Sequence, residues 1–268
     1  MPDRRTIHFI SGLPRSGSTL LANILAQNPR FQATATSGIL EILFAVRNQW
    51  DHVVEFRAAV DRDESEAAKV RVLVAMFEAY HAGDPRPVVF DKSRSWLAHL
   101  EMAERLIGRQ ARVLVPVRDL RDVLASFEKL WRASAATRQI SQEAAYYAEF
   151  QSVEGRCNVW MRPDQPVGIA YHRIRDAIVR GFRGRMHFVP FEDLTRSPAE
   201  VIRGIYGFLG EPPFAHNFEH VEQVTREDDG VIGIPDLHKI RSRVEPVPAQ
   251  WPAILGEVAS RYAEARFW

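Results

Sequence analysis

Cysteine is almost absent from this chain: Cys157 is the only one in 268 residues. That excludes an intrachain disulfide and any cysteine-based zinc site. A surplus of either charge is missing too, since 35 basic residues face 34 acidic ones for a net charge of +1. A general nucleic-acid binder needs a basic surplus or stripe, so any anion site here must be local. No apolar run approaches the ~20 residues that span a bilayer. The N-terminal stretch MPDRRTIHFISGLP has no long apolar core before a small-residue cleavage site, which argues against a signal peptide and for a cytoplasmic protein.

What is present is an ordinary globular balance, 46% hydrophobic and 26% charged, with no room for long disorder. The length suits a single domain over residues 1–268. Short apolar runs at Thr6–Ile10, Pro87–Phe90, Arg112–Val117 and Met186–Phe191 predict strands. Helical periodicity predicts helices over Ser18–Gln27, residues 39–50, Glu64–Ala82 (capped by Asp63 or Ser65), Trp96–Ile107 and the stretch RDLRDVLASFEKLW. Further helices are expected over Glu143–Trp160, Val167–Phe182, Pro198–Leu209 and Ala249–Ala265, with mostly loop from Glu211 to Pro248. Strands alternating with helices imply an α/β fold of the P-loop type, three layers with a mostly parallel sheet and helices on both faces.

One more absence is local. Gly12 to Thr19 (GLPRSGST) nearly spells the phosphate loop G-x-x-x-x-G-K-[ST], but Ser18 stands where the lysine belongs. In a strand–loop–helix unit, backbone N–H groups and the helix N-terminus favour an anion. Gly12 and Gly17 allow the tight turn, Ser16, Ser18 and Thr19 add hydroxyls, and Arg15 adds a cation. The missing lysine is the one that reaches the outer phosphates of a triphosphate, so its loss argues for a ligand with a single 5′-phosphate. A serine-rich helix cap without a ligand is the plainer reading of the same residues.

A second signal is independent. Arg118 stands at the carboxyl end of RVLVPV, where open parallel sheets place ligands, and Ser126 follows two helical turns later. Together they can grip a separate phosphate; alternatively Arg118 pairs with Asp119 or Asp122 on a solvated helix start.

These elements resemble the sulfotransferases that use 3′-phosphoadenosine-5′-phosphosulfate (PAPS), closest in flavour to the tyrosylprotein and bacterial branch. PRSGST is similar to the family's 5′-phosphosulfate loop and RDLRDVLAS to its 3′-phosphate motif. FDKSRSW, VPFEDL and GIPDLHKIR follow in family order, so the likeness spans nearly the whole chain. It implies in-line transfer of a sulfuryl group from PAPS to a hydroxyl acceptor (phenol, peptide tyrosine, sugar or other alcohol), with 3′-phosphoadenosine-5′-phosphate (PAP) as product and no metal. Lys92 is then expected at the bridging oxygen, helped by Arg15; a surface pair with Asp91 is its plain alternative. Glu41, a looser match to the family's glutamate, is the first candidate for the base, and an apolar setting among Ile39, Leu40, Ile42 and Leu43 would raise its pKa. A solvent-facing helix residue is the other reading of Glu41, and His238 is the fallback base. Arg94 occupies the place of the histidine that phenol-type relatives use. Phe191 replaces a tyrosine and can stack on adenine. Of Lys239, Arg241 and Arg243, one or more is expected over the 3′-phosphate, Lys239 and Arg243 first.

The acceptor region is expected in residues 39–80 and 131–182, which carry Trp50, Trp131, Tyr146, Tyr147, Phe150 and Trp160. Neither nucleic acid nor membrane is an expected partner, and a homodimer stays open. Two rival functions remain at this level: a P-loop kinase or NTPase with Asp91 as the Mg²⁺ ligand, and a PAP-binding relative without catalysis.

Overall fold

The structure is a computed structural model that describes residues 5–134, 145–234 and 236–268. The start of the helix expected over Glu143–Trp160, part of the acceptor region 131–182 and Pro235 of GIPDLHKIR lie outside the described residues.

Alternating side chains set the layers. Strands β1 (Thr6–Ile10), β2 (Phe31–Thr36), β3 (Val88–Lys92), β4 (Val113–Val117) and β5 (Met186–Pro190) form one parallel sheet in the order β2-β3-β1-β4-β5. Successive strand residues point to opposite faces. Ile7, Phe9, Val89, Val113, Val115 and Val117 therefore join one apolar layer, and Ile10, Val88, Phe90, Leu114 and Val189 the other. The first layer packs on α2 (Ile39–His52), α3 (Arg62–His81), α4 (Leu100–Ile107), α5 (Leu120–Ala133), α6 (Val153–Trp160) and α7 (Pro166–Val179). The second packs on α1 (Ser18–Leu25), α8 (Phe191–Arg196) and α9 (Pro198–Leu209). Three layers result, as the alternation of elements implies.

Several boundaries differ from the expectation, each for a local reason. Strand β2 was not foreseen: FQATAT offers small and polar side chains rather than an apolar run, and most of it is only half-buried at the sheet edge. Helix α3 starts at Arg62, two residues before the expected Glu64, because Asp61 rather than Asp63 or Ser65 caps it, its side chain accepting from Glu64 N. Helix α6 begins at Val153, where the Ser152 side chain accepts from Gly155 N. The expected C-terminal helix is an α-turn over Trp251–Leu255 followed by a 3₁₀ stretch, split at Gly256 with φ 56°. Such a φ is open to glycine and ends regular α-helix.

The chain runs from central β1 out to β2, back to β3, and then across β1 to β4 and β5. In open α/β sheets such a reversal leaves a crevice at the carboxyl ends of the strands. Among the described residues, no helix is long and apolar enough to cross a membrane.

Candidate functional site

Each strand delivers a polar or aromatic group to that crevice. Residues 11–17 leave β1, Thr36 ends β2, Lys92 ends β3, Arg118 follows β4 and Phe191 follows β5. The crevice opens into a cavity of about 940 Å³.

In the first loop, Gly12 is pressed on β4: an added Cβ would lie 2.1 Å from Pro116 O. Arg15 (φ 58°) and Gly17 (φ 81°) both take left-handed backbone, which turns the chain into α1. Gly17 also lies under the Phe191 ring, where a Cβ would come within 2.5 Å of Cδ2. Ser18 and Thr19 open α1 and line the cavity. Ser16 does not offer its hydroxyl: buried, it donates to Leu13 O at 2.5 Å and contacts Pro116 O at 3.0 Å, so it holds the loop's shape.

The second pocket is joined to the first. Arg15 Nε donates to Ser126 Oγ at 3.1 Å, and Arg118 donates to Arg15 O at 3.3 Å. Of the surface pairings considered for Arg118, Asp119 instead caps α5 and binds Arg121, while Asp122 Oδ2 stands 3.9 Å away. The Arg118 guanidinium lies 4.6 Å from the centre of the Phe191 ring, and its buried Nε has no hydrogen-bond partner among the described residues. Burial lowers the pKa of Arg118 against the pull of Asp122, Glu192 and Asp119. Arg15 is lowered by burial and by Arg118 beside it, opposed by Asp229. Both cations are short of negative charge, so an anion between them gains more than it would in water.

Lys92 and Asp91 are separated by the sheet. Asp91, fully buried, accepts from Trp96 Nε1 at 2.6 Å and faces His81 Nε2 at 3.2 Å in the first apolar layer. It is therefore neither the partner of Lys92 nor available to a Mg²⁺ ion at the loop. Lys92 points the other way, with Nζ 3.0 Å from Glu227 Oε1 and 3.4 Å from Thr19 Oγ1. Burial lowers its pKa more than Glu227 raises it. Glu227 sits in the segment after α9, in the stretch expected to be loop, and sequence alone gives no sign that its carboxylate returns to β3. Thr36 N and Oγ1 both donate to Glu227 Oε1, each at 2.8 Å.

A model of the sulfotransferase family matches residues 8–216. The chain belongs to the sulfotransferase family. Among solved structures it is similar to a sulfotransferase domain from the olefin synthase of Synechococcus PCC 7002, at 22% identity over 98% of this chain and 96% of that one, with a TM-score of 0.56. It is likewise similar to a sulfotransferase domain from the curacin biosynthetic pathway, at 17% identity over 97% and 96%, with a TM-score of 0.59. These likenesses concern the fold. No curated protein matches the sequence.

Within this sulfotransferase fold, Glu41 is not brought to the cavity. It is exposed in the first turn of α2 and accepts a 3.4 Å contact from Ser95 Oγ, which also takes Arg173. Its setting is thus polar rather than the apolar one expected, because Ile39, Leu40 and Leu43 turn inward while Glu41 and Ile42 face outward. His238 does line the cavity: its Nδ1 lies 2.6 Å from Asp229 Oδ1 and 3.4 Å from Glu227 Oε2. Its backbone N–H donates to Asp229 Oδ2 at 2.9 Å. The segment after α9 that carries Glu227 and His238 forms a C-terminal strap, tied to the first loop by Arg15, which donates to Leu237 O.

Lys239, Arg241 and Arg243 reach the rim, where each meets a carboxylate: Asp236 at 3.4 Å, Glu245 at 3.5 Å and Glu219 at 2.9 Å respectively. Arg94 lines the cavity as well, its pKa lowered by burial against the pull of Glu227. Trp131, Tyr146, Phe150 and Trp160 form an aromatic wall of the same cavity. Trp50 is not part of it and stacks on Phe56 at 3.8 Å; Tyr147 is exposed.

Proposed function

We propose that this protein transfers the sulfuryl group of PAPS to the hydroxyl of an acceptor with an apolar or aromatic body. The observation that carries the reading is the convergence of two arginine-bearing anion pockets and one buried lysine on a single crevice. The cradle fits such a ligand. Left-handed Gly17 keeps the first loop free of a Cβ, and Arg118 holds an unpaired buried N–H.

The backbone of residues 15–19 with the Ser18 and Thr19 hydroxyls would hold the 5′-phosphosulfate side. Arg118 and Ser126 would hold the 3′-phosphate, with Lys239 or Arg243 closing from the strap, and the Phe191 ring would meet the adenine. When bound, PAPS supplies the sulfuryl group and the leaving phosphate. Lys92 would neutralise the charge that grows on the oxygen between phosphorus and sulfur, whereas Arg15, expected from the sequence to share that role, is turned toward Ser126 and Leu237 and would serve the 3′-phosphate side. In a cavity of low dielectric, prearranged cations of this kind supply most of the rate enhancement. The wall of Trp131, Phe150 and Trp160 would bury the acceptor's apolar part.

Melting curves with PAP and, separately, with ATP and Mg²⁺ test the reading. At a hundredfold excess over Kd, a ligand adds about 2.7 kcal/mol of stability, several degrees in a chain of this size. The expected outcome is a shift with PAP and none with ATP and Mg²⁺; the reverse would make the protein a nucleotide kinase or NTPase. Radiolabelled transfer from PAPS to a panel of alcohols and phenols then separates an enzyme from a binding protein.

A further inference from the structure

A carboxylate against the lysine of a site built for a polyanion is electrostatically out of place, and Glu227 is that carboxylate. Its position is not accidental slack in a loop. Asn23, buried in α1, accepts from Val224 N at 2.6 Å and Thr225 N at 3.0 Å and donates to Thr225 Oγ1 at 2.8 Å, which clamps the strap just before Glu227. Oε1 then takes three donors, Thr36 N, Thr36 Oγ1 and Lys92 Nζ. Oε2 has no donor closer than His238 Nδ1 at 3.4 Å, so among the described residues it keeps a lone pair for a further hydrogen bond. Asp229, the other carboxylate of the strap, has both oxygens committed to His238.

We propose that Glu227 is the general base of the reaction, supplied to the end of β2 by the C-terminal strap. The proposal rests on the sulfuryl-transfer reading above. The proton of the acceptor hydroxyl passes to Glu227 Oε2 as the acceptor oxygen bonds to sulfur. The bond from sulfur to the phosphate oxygen breaks, and its electron pair stays on that oxygen beside Lys92.

The pairing with Lys92 sets the timing. Without ligand, burial would raise the Glu227 pKa, but Lys92 and the two Thr36 donors outweigh it and hold the carboxylate ionised. A phosphate at the loop competes for Lys92 and adds negative charge nearby. Both effects raise the proton affinity of Glu227 when an acceptor must be deprotonated. The charged groups facing Glu227 are Lys92 from β3, Arg94 from the turn after it, and His238 from the strap itself, which is held in turn by Asp229.

Three measurements on the full chain test this. Calorimetry of PAP binding in two buffers of different ionisation enthalpy, between about pH 5.5 and 6.5, reads proton uptake without any turnover. The wild type is expected to take up protons on binding PAP, and Glu227→Gln to take up fewer while binding PAP at least as tightly. Turnover, read as radiolabelled sulfate passed from PAPS to an alcohol panel and to water, is expected to fall by about 10²–10⁴ in Glu227→Gln. Glu227→Ala is expected to regain part of the loss when formate is added, which a structural role would not produce.

Turnover of Glu227→Gln within threefold of the wild type would overturn the proposal and leave Glu227 a mere counter-ion of Lys92. Loss of turnover in Glu227→Ala that formate does not relieve would overturn it too. A wild type that ignores PAP strikes the sulfuryl-transfer reading instead, so the two failures are told apart.

Discussion

Arg15 Nε and Ser126 Oγ, 111 positions apart in sequence, meet at 3.1 Å and join the first anion loop to helix α5. The loop's own cation is thereby oriented by the second pocket. Ser126→Ala removes that bond and, in the proposed reading, one donor to the 3′-phosphate. A hydrogen bond to a charged group is worth about 1.5–3 kcal/mol. PAP affinity, measured by calorimetry, is expected to fall by about 10- to 100-fold with little change in melting temperature.

Lys92→Ala is expected to lower turnover by at least about 10²–10³-fold, the usual loss when a charge-stabilising group is removed. PAP affinity is expected to stay within a few-fold, because in the proposed reading the loop and Arg118 would still hold both phosphates. Single-turnover kinetics beside PAP titration separates the two effects. A large loss of PAP binding would give Lys92 a binding role instead.

Gly17→Ala meets two obstacles, a left-handed φ of 81° and a Cβ 2.5 Å from Phe191 Cδ2. The backbone term alone costs about 1–2 kcal/mol. A lowered melting temperature and weakened PAP binding are expected. In the double variant Gly17→Ala with Phe191→Ala, the fall in melting temperature is expected to be smaller than the sum of the two single losses, since the ring contact is relieved while the left-handed φ is not.

Acid sensitivity should centre on Glu128, fully buried on the inner face of α5, where Arg156 donates to both its oxygens and Arg132 to one. Burial raises its pKa, but the two arginines outweigh that and hold it below the ordinary glutamate value. A carboxyl lowered in the fold adds stability that is full above its unfolded pKa and is lost as pH falls through the folded value. Glu128→Gln is expected to cost about 3–5 kcal/mol near neutrality, as for a broken buried pair, and to flatten the decline of stability below about pH 4.5. Melting temperatures of both proteins between pH 3 and 7 check it.

The parts of the site legible in sequence were those written in one continuous stretch. Strand, turn and helix around Gly12–Thr19 announce themselves locally, as do Arg118 with Ser126 and a lysine closing an apolar run. Strand β2 was hidden because its alternation uses Ala and Thr, whose burial contrast is small. Glu227 was hidden for a different reason: it reaches Lys92 across 135 positions through a segment without periodicity, and only the Asn23 clamp brings it home. Glu41 misled because its neighbours are apolar in sequence, while a helix sorts neighbours by angle rather than by distance along the chain.

Because the first loop, Lys92 and Arg118 stand at the carboxyl ends of β1, β3 and β4, the sheet acts as an alignment jig for them. A slip of β3 by one residue would exchange Asp91 and Lys92 between the two layers, turning the ammonium into oil and a carboxylate toward the anion. Chemistry here therefore inherits its tolerance from backbone pairing deep inside the molecule. Apolar substitutions around Val89 and Phe90 that touch no ligand should show up as errors of catalytic aim before they show up as unfolding.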